Sequence, residues 1–173
     1  MFFLSRFRGK NTSTMLRVTL LNNKAMKDIG YFGIGCFNMK THHNYGSLFR
    51  TAQILNADFL FLIGARFNRQ ASDTMCSWRH LPVFEYDTVE DFQKHRPYDC
   101  KLIGIEMTDS ATPITEFTHP KRACYLLGAE DNGLSREAID LCQEIIRLPG
   151  ERSMNVSVAG SIVIYDRINK LNY

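Results

Sequence analysis

From position 29 onward, apolar residues come in short runs separated by polar, turn-forming stretches. The runs at 31–37 (YFGIGCF), 59–63 (FLFLI), 101–105 (KLIGI), 123–127 (ACYLL) and 144–148 (EIIRL) read as strands, with a weaker one at 83–86. Several are apolar without alternation, the pattern of strands covered on both faces. Between them the period becomes helical. After Asn44, read as an N-cap, Leu48, Ala52 and Leu55 recur at i, i+4 and i+7. Ser135 is placed to cap a helix over 136–142. Near the C-terminus, Val158, Ile162, Tyr165 and Ile168 form another stripe at helical spacing, facing either the core or a partner. Strands alternating with helices predict an α/β fold with a mostly parallel sheet and helices on both faces. One domain over 29–173 accounts for all of these elements.

A chain of 173 residues has room for one domain with a sizeable core. With 45% hydrophobic and 23% charged residues it is not a disordered chain. No apolar run approaches the roughly 20 residues of a membrane helix, so no membrane partner is expected. The net charge of +3 hides an asymmetry. Residues 1–27 hold Arg6, Arg8, Lys10, Arg17, Lys24 and Lys27 without an acid, which leaves the rest of the chain at −3. The expected flexible tail over 1–28 has three readings: a transit peptide, an arm on RNA phosphates, or a plain disordered terminus. A cytoplasmic location is expected, or an organelle if the tail is a transit peptide.

The five cysteines form no CxxC pair, which argues against zinc and against a disulfide framework. Cys36, Cys124 and Cys142 read as small core residues in a reducing compartment, and no metal is expected. Residues 33–38 (GIGCFN) begin like a dinucleotide fingerprint, but Asn38 stands where its third glycine belongs. There is no GxxxxGK[ST] phosphate loop and no GxSxG elbow, and His42 and His43 lack HExxH spacing.

Three other segments carry more. In 43–52 (HNYGSLFRTA), Gly46 falls in the first helical turn, where glycine is about 1 kcal/mol worse than alanine, which suggests close approach by another backbone or a ligand. Arg50 follows Asn44 by six positions; it is either a solvated surface residue or held in a site. In 126–135 (LLGAEDNGLS), a strand ends at Gly128 and a turn with Glu130 leads through Gly133 into a helix, at the kind of strand end where α/β sheets bind ligands. In 147–168, Pro149-Gly150 ends a strand, and a polar loop precedes the terminal helix.

Together these segments resemble the three motifs of the SPOUT superfamily in its TrmH (SpoU) branch. They run Asn44-x-Gly46-x-x-x-Arg50-Thr51-Ala52, then Gly128-x-Glu130-x-x-Gly133-Leu134, then Ser153-Met154-Asn155-Val156-Ser157-Val158-Ala159. Met154 stands where leucine is commoner, and the approach over 148–152 is shorter than the family's usual form. The resemblance implies a C-terminal trefoil knot and an S-adenosylmethionine-dependent RNA 2′-O-ribose methyltransferase acting on tRNA or rRNA. It implies Glu106, Met107, Gly128, Leu148, Ser153 and Met154 as cofactor residues. Arg50 is implied as the catalytic residue, with Asn44, Glu130 and Asn155 orienting it and the substrate, in a homodimer formed through the terminal helix. A guanidinium with a pKa above about 12 suits phosphate and oxyanion binding better than a base role. Arg66, Arg69, Trp78, Arg79 and His80 form a polar stretch able to meet RNA, by arginine on phosphate and tryptophan on a base, or else a solvated loop. The rival reading is a knotted RNA-binding protein without catalysis.

Overall fold

Seven strands, each paired in parallel with its neighbours, make one sheet in the order β3-β2-β1-β6-β4-β7-β5. The computed structural model describes residues 29–39 and 42–171; the readings of the basic tail over 1–28 lie outside the described residues. In chain order the elements are β1 (Tyr31–Phe37), α1 (His42–Ile54), β2 (Phe59–Ile63), β3 (Val83–Tyr86), α2 (Val89–His95), β4 (Lys101–Ile105), β5 (Thr112–Pro113), β6 (Arg122–Leu127), α3 (Arg136–Leu141), β7 (Glu144–Arg147) and α4 (Val156–Leu171). None of these helices is long and apolar enough to cross a membrane.

The period of two along β2 shows how the layers form. Leu60 and Leu62 join the core under α1 and α4, with Ile34, Cys36, Leu48, Phe49, Tyr125 and Val163. Phe59, Phe61 and Ile63 join the opposite core under α2 and α3, with Phe92, Leu102, Cys124 and Ala138. Phe61 stacks on Phe92 at 4.7 Å between centroids. Each such ring stabilises by roughly 1.5–3 kcal/mol through burial. The GxG of β1 belongs to this packing. Gly33 and Gly35 pair with Phe59 and Phe61, and a Cβ at either glycine would overlap those rings. The expected parallel sheet with helices on both faces is present.

Several boundaries differ from expectation. Asn44 is not an N-cap, because α1 begins two residues earlier at His42. Burial of Tyr45, Leu48, Phe49 and Ala52 sets the phase of that helix and leaves Asn44 half-buried in its first turn. Sequence periodicity missed α2, a helix of only seven residues. Its signal was Thr88, whose hydroxyl accepts from Asp91 N at 3.1 Å. It also missed β5, a two-residue edge strand ending in Pro113. Ser135 does cap its helix, accepting from Ala138 N at 3.2 Å.

The terminal helix is pinned by a buried polar network. Arg167 is wholly buried. Its guanidinium lies 4.7 Å over Phe32 and donates to the carbonyls of Ile29 (2.6 Å), Pro120 (2.8 Å) and Lys121 (3.0 Å) and to the Tyr125 hydroxyl (2.9 Å). His119 bridges Tyr125 and Asp166, its Nε2 2.8 Å from Asp166 Oδ2. Burial pushes this imidazole below its ordinary pKa, aided by Arg167 and Lys170. The hydrogen bond and field of Asp166 pull the other way without outweighing burial. The pair is therefore a hydrogen bond from a neutral ring. Burial also pushes Tyr125 up to about 12, so its hydroxyl stays protonated and can donate to His119 Nδ1. One end of α4 is thereby fixed, and the other end meets the cleft.

Candidate active site

The carboxyl ends of β6, β4 and β7, adjacent in the sheet, open into a cleft of about 680 Å³. Ligands bind in this position in open α/β sheets. Ile105, Glu106 and Met107 line it after β4, 127–133 after β6, and Leu148 with 151–156 after β7. Asn44 reaches it from the first turn of α1, and Ala159 from α4.

The loop after β6 is closed on itself. Ala129 and Gly133 exchange backbone hydrogen bonds of 3.1 and 2.8 Å. Gly133 has φ +64, and a Cβ there would collide with the Glu106 carboxylate. Glu106 holds this loop from β4, accepting from Leu134 N at 2.7 Å and from Met107 N at 2.9 Å. A Cβ on Gly128 would overlap the backbone of Gly133 and Leu134. The glycines of the second motif thus serve a tight loop whose backbone forms one wall of the cleft.

The third motif supplies the opposite wall. Asn155 Oδ1 accepts from Ser157 N at 2.9 Å and from Ser157 Oγ at 2.7 Å, which caps α4. Met107 and Met154 are each 38% exposed where they line the cleft, beside buried Leu148. Thioether and aliphatic surface among carboxylates and backbone groups suits a small molecule with a flat apolar part and polar ends.

Residues 32–165 match the profile described as the SpoU rRNA Methylase family. The chain belongs to this SpoU family. Among curated proteins, the SpoU chain is 26% identical over 130 residues to the tRNA (guanosine(18)-2′-O)-methyltransferase of Escherichia coli K12, a match covering 72% of this chain and 57% of that one. It is 26% identical over 132 residues to the enzyme of that name in Saccharomyces cerevisiae, covering 70% of this chain and 9% of that one. The chain thus spans little more than half the length of the bacterial relative. Among solved structures it superposes with a TM-score of 0.73 on the Aquifex aeolicus TrmH/SpoU tRNA modifying enzyme, at 19% identity over 90% of this chain and 84% of that one. An AdoMet-bound rRNA methyltransferase from Sinorhizobium meliloti also gives 0.73, at 21% identity over 82% of this chain and 57% of that one. These two likenesses establish the fold.

In the SpoU chain, the six residues expected to hold the cofactor, Glu106, Met107, Gly128, Leu148, Ser153 and Met154, all line the one cleft. So do Asn44, Glu130 and Asn155. Arg50 does not. It is exposed on α1, ~240° around the helix from Asn44. It shares a face with Ser47 and Ile54, three and four residues away. That face borders a second groove, lined by Ser47 and Thr51 of α1 and by Ser157, Val158, Ser161, Ile162 and Tyr165 of α4. Glu151 and Arg152 line the cleft without having been expected. Their only signal in sequence was membership of the loop that leads into the third motif.

Proposed function

We propose that this chain is an S-adenosylmethionine-dependent RNA 2′-O-ribose methyltransferase acting on tRNA or rRNA. What supports the reading is the single cleft in which three sequence-distant motifs converge, with six of their expected residues (Asn44, Gly128, Glu130, Ser153, Met154 and Asn155) and the three others expected at strand ends, Glu106, Met107 and Leu148. The cleft fits the cofactor in volume and in its mixture of thioether, aliphatic and backbone groups. Leu148, Met107 and Met154 would hold the adenine, and Gly128, Ser153 and Glu106 would give polar anchors and shape. When bound, the sulfonium supplies the methyl group. The chain's own task is to align a ribose hydroxyl and manage its charge, and alignment alone can contribute roughly 7–11 kcal/mol. Asn155 has its Oδ1 committed to the cap, so its amide nitrogen is the group it would use on the substrate. Asn44 and Glu130 orient substrate from the facing walls.

Arg50 carries the rest of the proposal. Its guanidinium stabilises the developing oxyanion and the adjacent phosphate, and that requires delivery to a cleft it does not line. A homodimer closed over the groove between α1 and α4 supplies this. Val158 is 49% exposed and Tyr165 64%, while Ile162 and Ile168 of the same stripe are partly buried against the core, so the stripe leaves an apolar edge of α4 open to solvent. The groove shares the first turn of α4 with the cleft, so a two-fold partner seated there brings its own Arg50 to the cleft's edge. This reading takes 29–173 as the methyltransferase unit. The trefoil knot belongs to the same reading, supported by late insertion of β7 between β4 and β5. The position of Arg50 outside its own cleft is the observation that favours the rival, a knotted RNA-binding protein without catalysis. Calorimetry with S-adenosylmethionine separates the two. Saturable binding by the folded protein is expected, and its absence contradicts the enzyme reading.

A further inference from the structure

Trp78, the chain's single tryptophan, lies in the long segment between β2 and β3 and does not line the cleft. Two guanidinium groups lie over its ring, Arg69 at 4.4 Å from the centroid and Arg79 at 5.0 Å. Both arginines are exposed, while Trp78 is half-buried. Arg66, in the same segment, is already paired with Asp87 at 2.6 Å and Glu85 at 3.5 Å. Among the described residues no carboxylate pairs with Arg69 or Arg79. A guanidinium lying on an indole loses little of its donor capacity, because its N–H groups radiate in its own plane. Each such planar fork matches the geometry of phosphate oxygens.

The segment that carries them is braced. Buried Asp73 accepts from Ser77 N and Ser77 Oγ, both at 2.7 Å, and so fixes the 3-10 turn Ser77–Arg79. Cys76 enters that turn in the left-handed region at φ 52. The segment is also strapped to the first turn of α1. The Tyr45 hydroxyl donates to Asn68 O and accepts from Asn68 N, each at 3.1 Å. A Cβ on Gly46 would collide with Ser72 Oγ and stand 2.7 Å from Gln70 Cβ. Asn44, in that same turn, lines the cleft. Binding groups on a braced segment lose little freedom when they engage a ligand.

We propose that Arg69 and Arg79, racked on Trp78, form a phosphate clamp for the RNA strand that enters the cleft. The clamp rests on the RNA methyltransferase reading and adds where the strand is held. Its ligand is the phosphodiester backbone a few nucleotides from the reacting ribose. It sets the register of the strand rather than its sequence, because phosphates carry no base information. The ring of Trp78 already carries the two guanidiniums, so its part is to hold them rather than to stack on a base.

The test uses the full chain with two fluorescein-labelled RNAs, a stem-loop and an unrelated single strand, titrated across a salt series. The Arg69→Gln/Arg79→Gln variant is expected to flatten the slope of log affinity against log salt by about 1.4, at about 0.7 per phosphate contact, and to weaken both RNAs about tenfold. Its affinity for S-adenosylmethionine stays unchanged. Trp78→Phe keeps a platform and most of the affinity, whereas Trp78→Ala matches the double variant. Trp78 fluorescence changes on adding RNA to the wild-type chain. Unchanged slopes in the double variant, or a wild-type chain that binds neither RNA, overturn the clamp. Failure to bind S-adenosylmethionine contradicts the methyltransferase reading alone, because the RNA curves are read without cofactor.

Discussion

At the residue scale, Arg50 and His119 make opposite demands on their surroundings. Arg50 is exposed and outside its own cleft, so its removal is expected to leave the fold and the cleft intact. Arg50→Ala is expected to keep S-adenosylmethionine affinity and to slow methyl transfer by roughly 10²-fold or more, the scale of losing one oxyanion donor. Single-turnover assays beside calorimetry check this; full activity would remove Arg50 from the mechanism. His119 is buried and neutral, wedged between Tyr125 and Asp166, with Arg167 and Lys170 beside it. Its folded pKa lies below its unfolded value, so the unfolded chain takes up a proton first as pH falls. Stability is therefore fully present above about 6.5, the ordinary imidazole value, and declines as pH drops toward the folded pKa. Denaturant midpoints at about pH 8 and about pH 5.5 are expected to differ for the wild-type chain and to converge in His119→Gln. Equal wild-type midpoints would contradict a buried neutral ring. Neither His119 nor Arg167 was legible in the sequence: a polar residue on a helix, like Arg167, or in a loop, like His119, looks the same whether solvated or buried. Arg167 depends on carbonyls at 29, 120 and 121, and His119 on Tyr125 and Asp166, partners that the fold alone brings together.

At the scale of elements, the first turn of α1 joins the cleft to the segment carrying Trp78. Gly46 makes that junction possible. Alanine in its place gains about 1 kcal/mol of helix propensity but collides with Ser72 and Gln70. Overpacking of this kind costs roughly 1–3 kcal/mol, so Gly46→Ala is expected to lose stability overall and to weaken RNA binding more than cofactor binding. Adding Ser72→Ala relieves one of the two collisions and restores part of the loss. A stabilised Gly46→Ala would contradict the contact. The elements themselves were largely readable. Unbroken apolar runs gave β1, β2 and β4 their observed bounds, and Ser135 marked the start of α3. The start of α1 was misread because Asn44 is a good capping residue in a helix whose phase is set by buried rings. The outer stripe of α4 was found, but which face met the core could not be read. Val158 and Tyr165 fall at the same helical spacing as core-facing residues such as Val156, Val163 and Ile164, and only packing on the sheet separates them.

For the whole molecule, the exposed stripe and the stranded Arg50 point to one arrangement. Charge placed on that stripe by Val158→Asp and Tyr165→Asp is expected to convert a two-chain species to one chain in sedimentation. Cofactor binding should survive while methyl transfer is lost. A wild-type chain that sediments as a monomer yet transfers methyl groups would require another route for Arg50. Convergence of the nine cleft residues was foreseeable only through the family resemblance. Spacing within each motif says nothing of the sheet order that places β6, β4 and β7 side by side. The central claim concerns the atom that is methylated, and base chemistry distinguishes it. A 2′-O-methyl group blocks attack on the neighbouring phosphodiester, so a methylated ribose survives alkali as a dinucleotide. The decisive measurement is the fate of labelled methyl groups after the chain acts on tRNA and rRNA from cells lacking it, followed by complete alkaline hydrolysis. The account predicts label confined to alkali-resistant dinucleotides; label in mononucleotides, or none in RNA at all, would contradict it.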